Sequence, residues 1–148
     1  RSLLELGCGL GLPALVAARG GFRVTATDYE ETALEGVRFA AAGNRIDGLA
    51  TRVVDWRAPP EDLGTFDVVV AADVLYEPHH PPALAATIAR TLAPGGVALV
   101  ADPCRARAAG FPAAARGVGL AVTKTRGRRP HGAADGPLVE IHRCVWPA

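Results

Sequence analysis

Leu3-Leu4-Glu5-Leu6-Gly7-Cys8-Gly9-Leu10-Gly11 is the stretch on which the fold turns. Its apolar opening reads as a short buried strand. Three glycines in the next five residues read as a turn that takes positive φ and lets a ligand approach without meeting a Cβ. Pro13 then opens an apolar segment, residues 14–19, which Gly20-Gly21 close. Proline just inside and glycine just past the end are the boundary marks of a helix. Strand, glycine turn and helix together form the first unit of a nucleotide-type pocket. The dinucleotide fingerprint G-x-G-x-x-G needs its third glycine at position 12, where Leu12 stands, so the match to NAD is imperfect.

Three further stretches carry chemistry at the ends of strand-like runs. Residues 22–28 are β-prone and end in Asp28, about twenty residues after the first glycine, where a carboxylate can accept both hydroxyls of a ribose. The same spacing lets Asp28 cap a helix starting near Glu30. Residues 52–57 read as a short strand delivering Asp55 and Trp56, an acceptor for the adenine amino group and an indole to flank the purine. Trp56 as a core anchor is the alternative. Residues 66–72 form a continuous apolar run, buried on both faces as in a parallel sheet. That run leads into Asp73-Val74-Leu75-Tyr76-Glu77-Pro78. Each acid falls at the carboxyl edge, where open α/β sheets bind ligands.

An acidic residue followed by G-x-G-x-G resembles motif I of the seven-β-strand (class I) S-adenosylmethionine (SAM) methyltransferases. The D-x-x-Y of Asp73 to Tyr76, with the Asp55-Trp56 pair, resembles the protein-lysine methyltransferase branch of that fold. Asp102-Pro103-Cys104-Arg105 looks like the D-P-G-R stretch of the electron-transfer-flavoprotein β-subunit lysine methyltransferases and their bacterial relatives, with Cys104 in place of the glycine. The resemblance runs from Leu3 to about Trp146. It implies an α/β, Rossmann-like, doubly wound and mostly parallel seven-stranded sheet with an antiparallel C-terminal edge strand. It also implies SAM as cofactor, with Glu5 near the methionine amino group and Gly7, Cys8, Gly9 and Gly11 along the methionine and ribose. Asp28 then anchors the ribose, Asp55 and Trp56 serve the adenine, and Tyr29 and Ala72 are further contacts. Asp73 and Tyr76 become the catalytic pair, one orienting the acceptor and the other walling its channel.

Enzymes methylating nucleic-acid amines usually follow this Asn or Asp with Pro-Pro and an aromatic residue. Val74-Leu75 stand there instead, so nucleic acid is not the expected partner. The resemblance points to a methyl group transferred to an amine, a protein lysine or a small-molecule amine. A small-molecule N- or O-methyltransferase and a silent SAM-fold interaction module stay open. Displacement at a sulfonium needs an aligned, deprotonated nucleophile. A lysine amine has a pKa of about 10.4, so deprotonating it at pH 7 costs roughly 4.6 kcal/mol. A carboxylate held too close would stabilise the ammonium, so the role expected of Asp73 is positioning more than strong-base chemistry.

At 148 residues the chain reads as one domain, residues 1–148. It has no methionine and begins inside the first strand's motif, which suggests a preceding segment that is missing. No run is long and apolar enough for a membrane span and no charged-then-apolar leader is seen, so a cytoplasmic setting is expected. Cys8, Cys104 and Cys144 lack C-x-x-C spacing and read as reduced thiols. Neither His79-His80 nor His142 with Cys144 brings a third ligand, so no metal is expected. Arginine used almost to the exclusion of lysine, with abundant Ala, Gly and Pro, suggests a GC-rich bacterial gene. Charge is uneven: 8 basic and 12 acidic residues up to Val100, then 8 and 3 beyond it. Arg126, Arg128 and Arg129 read as a solvated loop between the last two strands. Leu84, Ile88 and Leu92 mark one helical face ahead of a turn at residues 93–96, and strand-like runs recur at 120–125 and 138–146.

Overall fold

Alternation along the first strand, β1 (Ser2–Leu6), sends side chains into two separate cores. Leu4 and Leu6 enter one and Leu3 enters the other. A strand buried on both faces needs helices on both sides, and the chain supplies them. The computed structural model describes residues 1–128 and 138–148. Helices α1 (Leu12–Arg19) and α2 (Glu31–Gly43) set Ala14, Ala18, Leu34 and Val37 against Leu3 and against Val24 and Ala26 of β2 (Arg23–Asp28). On the opposite face α3 (His80–Thr91) and α4 (Phe111–Gly117) bring Leu84, Ile88, Phe111 and Ala115 to Leu4, Leu6, Val69 and Val100.

The sheet has seven strands in the order β3-β2-β1-β4-β5-β7-β6. β3 (Leu49–Val53), β2, β1, β4 (Phe66–Ala72) and β5 (Leu92–Asp102) are parallel. Chain direction across the sheet reverses between β1 and β4, and the crevice at that switch point is where such sheets hold ligands. The antiparallel C-terminal strand is β7 (Leu138–Val145), inserted between β5 and the outermost strand β6 (Ala121–Arg128).

Three boundaries differ from the sequence expectation. β3 ends at Val53, and Asp55-Trp56 lie on the loop beyond it. There the Asp55 carboxylate accepts the Arg57 N–H at 2.9 Å, a local turn that competes with the ladder. Leu92 starts β5 directly, so residues 93–96 belong to that strand rather than to a free turn. Register slips between Phe66 and Val68, Gly95 takes φ +75°, and a Cβ on Gly96 would lie 2.9 Å from the Asp67 carbonyl. Arg126 and Arg128 sit on β6 instead of in a loop, and the Arg126 guanidinium pairs with Glu140. Arg129 lies outside the described residues. Among the described residues no helix is long and apolar enough to cross a membrane.

Candidate active site

The carboxyl ends of β1 to β4 enclose a cleft of about 690 Å³, within the range that holds a small-molecule cofactor. Gly7, Cys8 and Gly9 of the glycine turn line it, with Asp28 and Tyr29 after β2, Asp55 and Trp56 after β3, and Ala72, Asp73 and Tyr76 at and after the end of β4. Ten of the twelve residues singled out from the sequence therefore meet in one place. Glu5 and Gly11 do not line it.

Each glycine of the turn does a different job. Gly7, at φ +70°, has Trp56 and Val74 2.8 Å from where its Cβ would be. Gly11, at φ +72°, has Val37 Cγ2 at 2.5 Å, so α1 and α2 can approach only without a side chain there. Gly9, at φ +50°, has nothing within 4 Å of its missing Cβ and fronts open cleft. Close backbone approach by a ligand is possible at Gly9. Its N–H donates to Asp28 Oδ2 at 2.9 Å, while Asp28 Oδ1 accepts the Glu30 N–H at 3.1 Å. Asp28 thus braces both loops and retains a lone pair on each oxygen. Glu5, buried beneath the turn, accepts the Ala14 N–H at 2.8 Å and satisfies the start of α1, whose cap position Gly11 has no side chain to do so. Burial pushes its carboxyl up to about 7, against the hydrogen bond from Ala14 and with the charge of Asp28. Burial, with Glu5 and Asp28 nearby, also lifts the Cys8 thiol to about 12, which leaves it un-ionised.

On the loop after β3 Asp55 forms a fork with the Arg57 guanidinium, and those hydrogen bonds hold its carboxyl down at about 2. Trp56 is half-buried, packs against the α3 core and also lines the cleft, so its core packing leaves one part of the ring facing the space beside the glycine turn. Its ring lies edge-on to His80 at 5.5 Å, and His80 also meets Tyr76 at 4.7 Å. His80 Nδ1 stands 2.7 Å from the Val74 carbonyl, and a carbonyl only accepts, so Nδ1 carries the proton. Just after β4, Asp73 adopts φ +63°, lines the cleft, and contacts the Arg105 guanidinium through its carboxylate. Burial raises the Tyr76 hydroxyl above its usual range.

Sequence reasoning missed Arg57, Glu77, His79 and His80, all of which line the cleft. From the sequence, His79 and His80 read only as metal-ligand candidates. Their position at the start of the helix that follows Asp73 was the available signal, since that first turn must face the same strand ends. Among the described residues no group of three or more His, Cys, Asp or Glu is placed to hold a metal.

A family model described as "Methyltransferase domain" matches residues 1–135. The chain belongs to the methyltransferase domain family. It is 35% identical over 99 residues to a ubiquinone biosynthesis O-methyltransferase of Caulobacter sp. (strain K31), covering 67% of this chain and 39% of that protein. It is 34% identical over 79 residues to the protein N-lysine methyltransferase METTL21A of Xenopus tropicalis, covering 51% of this chain and 36% of the relative. The methyltransferase domain therefore spans well under half the length of the curated relatives it matches. Among solved structures, the glycopeptide N-methyltransferase MtfA complexed with SAM superposes with a TM-score of 0.80 at 16% identity, over 99% of this chain and 87% of that one, which shows a shared fold.

Proposed function

We propose that the domain is the catalytic part of a SAM-dependent methyltransferase acting on an amine, the favoured acceptor being a protein lysine side chain. One observation carries the cofactor reading. Among the described residues the cleft is lined by Asp28, Glu30, Asp55, Asp73 and Glu77 and by one arginine, Arg57, which is paired with Asp55, while Arg105 and Arg107 reach Asp73 and Glu77 from outside the lining. An acid-rich crevice around a glycine turn suits a cationic sulfonium and repels a pyrophosphate. SAM, when bound, supplies an activated methyl group. Gly9 would admit its backbone approach, Asp28 would accept the ribose hydroxyls, and Trp56 with Asp55 would take the adenine. Asp73 would orient the acceptor nitrogen, and Tyr76 would wall its path. Glu5 supports the fold of the glycine turn and would stand behind the amino-acid end of the cofactor.

The amine acceptor is favoured by the Asp73-to-Tyr76 arrangement and by the likeness to a lysine methyltransferase. The likeness to a ubiquinone O-methyltransferase favours a small-molecule acceptor as the second reading. A cytoplasmic setting suits the three free cysteines. Incubating the protein and labelled SAM with bacterial lysate separates these readings. Label recovered as methyl-lysine in protein bands supports the first, label in the small-molecule fraction supports the second, and binding of S-adenosylhomocysteine with no label transferred points to a silent module.

A further inference from the structure

Asp73 and Cys104 lie just beyond the ends of adjacent parallel strands, β4 and β5, and both adopt φ +63°. Between them stands Arg105. Its backbone N–H donates to Asp102 Oδ1 at 2.6 Å, and Asp102 is 1% exposed. Asp102 Oδ2 lies 3.9 Å from the Arg105 guanidinium and has no hydrogen-bond partner of its own. The guanidinium reaches forward to the Asp73 carboxylate, whose backbone N–H is tied to the Ala101 carbonyl at 2.9 Å. Two residues on, Arg107 reaches Glu77 Oε2 at 3.3 Å and the Tyr76 carbonyl at 3.4 Å. The loop after β5 thus places two cations on the two acids of the loop after β4. Buried Asp102 holds Arg105, and Arg105 holds Asp73.

That order of support has a chemical consequence. A lysine-type amine arrives as an ammonium, because its pKa is about 10.4. A bare carboxylate would bind that cation and favour the protonated form, which has no lone pair to attack a methyl group. A carboxylate already matched by a guanidinium still offers an oxygen to the acceptor N–H with much of its charge offset. We propose that Arg105 is a positioning residue for methyl transfer, fixing the Asp73 carboxylate at the acceptor and offsetting the charge that would otherwise hold an amine acceptor protonated. This rests on the amine-methyltransferase reading.

The test uses n-butylamine as a lysine side-chain probe on the protein saturated with S-adenosylhomocysteine at pH 7. Arg105→Gln should bind n-butylammonium up to about fivefold tighter than the parent, the scale of one partly exposed ion pair. Its affinity for S-adenosylhomocysteine should stay within about twofold. Asp73→Asn should remove the gain when combined with Arg105→Gln, and Arg105→Lys, which keeps the charge, should bind the probe like the parent. With SAM and n-butylamine as acceptor, Arg105→Gln should lower kcat and KM together and move the rising limb of the pH profile upward. An arginine that only supported the loop would raise KM and leave the limb in place. Unchanged or weaker n-butylammonium binding by folded Arg105→Gln overturns the inference. If that variant does not fold, Arg105→Lys decides, because probe binding altered as much as by Asp73→Asn would show that charge is not what matters. Failure of the parent to bind S-adenosylhomocysteine would instead overturn the cofactor reading on which the inference stands.

Discussion

Asp28 shows how one carboxylate can make the cap-like contacts its sequence position allows and still face the cleft where a ribose is proposed to sit. It accepts N–H groups from Gly9 and Glu30, so it braces the turn and precedes α2 as a cap-like residue, and it still faces the cleft. Asp28→Ala should weaken S-adenosylhomocysteine binding by at least about a hundredfold, since two hydrogen bonds to a charged acceptor contribute about 1.5 to 3 kcal/mol each. Asp28→Asn, which keeps one acceptor oxygen, should lose less. Calorimetry reads both, and parent-like binding by both variants would leave Asp28 with the bracing role alone. Glu5 makes a prediction of the opposite kind, on stability rather than affinity. Its folded-state pKa is raised from 4.5 to about 7, chiefly by burial, so the fold favours the protonated form. Stability from this group is full below pH 4.5 and is lost as pH rises through about 7, where the folded carboxyl must ionise. Urea unfolding should show the parent losing a few kcal/mol across that window relative to Glu5→Gln, whose amide oxygen still accepts from Ala14. A parallel pH dependence in both proteins would mean that the burial penalty is absent.

At the scale of elements, the glycine turn holds a packing position, Gly11, and a cleft-facing position, Gly9, within five residues. Gly11→Ala places a Cβ 2.5 Å from Val37 in a left-handed backbone, so it should destabilise by more than the roughly 1–2 kcal/mol that the backbone conformation alone costs. Gly9→Ala meets no protein atom and should cost little beyond that backbone term, yet it should weaken cofactor binding because its Cβ enters the cleft. Thermal melts with and without S-adenosylhomocysteine distinguish the two, and equal effects on binding would refute the division. Cys104 sits where the D-P-G-R pattern has glycine, and its φ of +63° explains why glycine suits that position. Cys104→Gly should therefore raise stability by about 1 kcal/mol. Strands β1, β2 and β4 were legible because alternation, continuous apolar runs and the glycine turn all agree there. The end of β3 was not, because Val53-Val54 favours a strand while the turn made by Asp55 and Arg57 depends on side-chain geometry that propensity does not carry. The start of β5 was hidden for a related reason, since Pro94-Gly95-Gly96 reads as a turn and only pairing with β4 makes it strand.

Across the whole molecule, the residues that gather at the candidate site were easier to read from the sequence than the groups that pair with them. Acids at strand ends announce themselves by spacing, whereas the arginines that pair with them come from loops whose position depends on the finished sheet. Arg105 and Arg107 reach across from the end of β5 to the loop after β4, contacts about thirty residues apart along the chain. Two cores on opposite faces meet at β1, so the strand that leads into the glycine turn is held from both sides. Ligand binding should then appear as global stabilisation. At one hundred times its Kd, S-adenosylhomocysteine should add about 2.7 kcal/mol. For a domain of this size that corresponds to a rise in Tm of roughly 5–10 °C. NAD at the same concentration should leave Tm unchanged, because its pyrophosphate would face Asp28 and Glu30 while Arg57, Arg105 and Arg107 are already committed to Asp55, Asp73 and Glu77. Sinefungin, which keeps the adenosine and the amino-acid end, should stabilise as S-adenosylhomocysteine does, and Asp28→Ala should abolish most of either shift. A NAD-induced rise equal to that from S-adenosylhomocysteine would mean that the acid-rich lining does not select the cofactor, and the assignment of the cleft would fall with it.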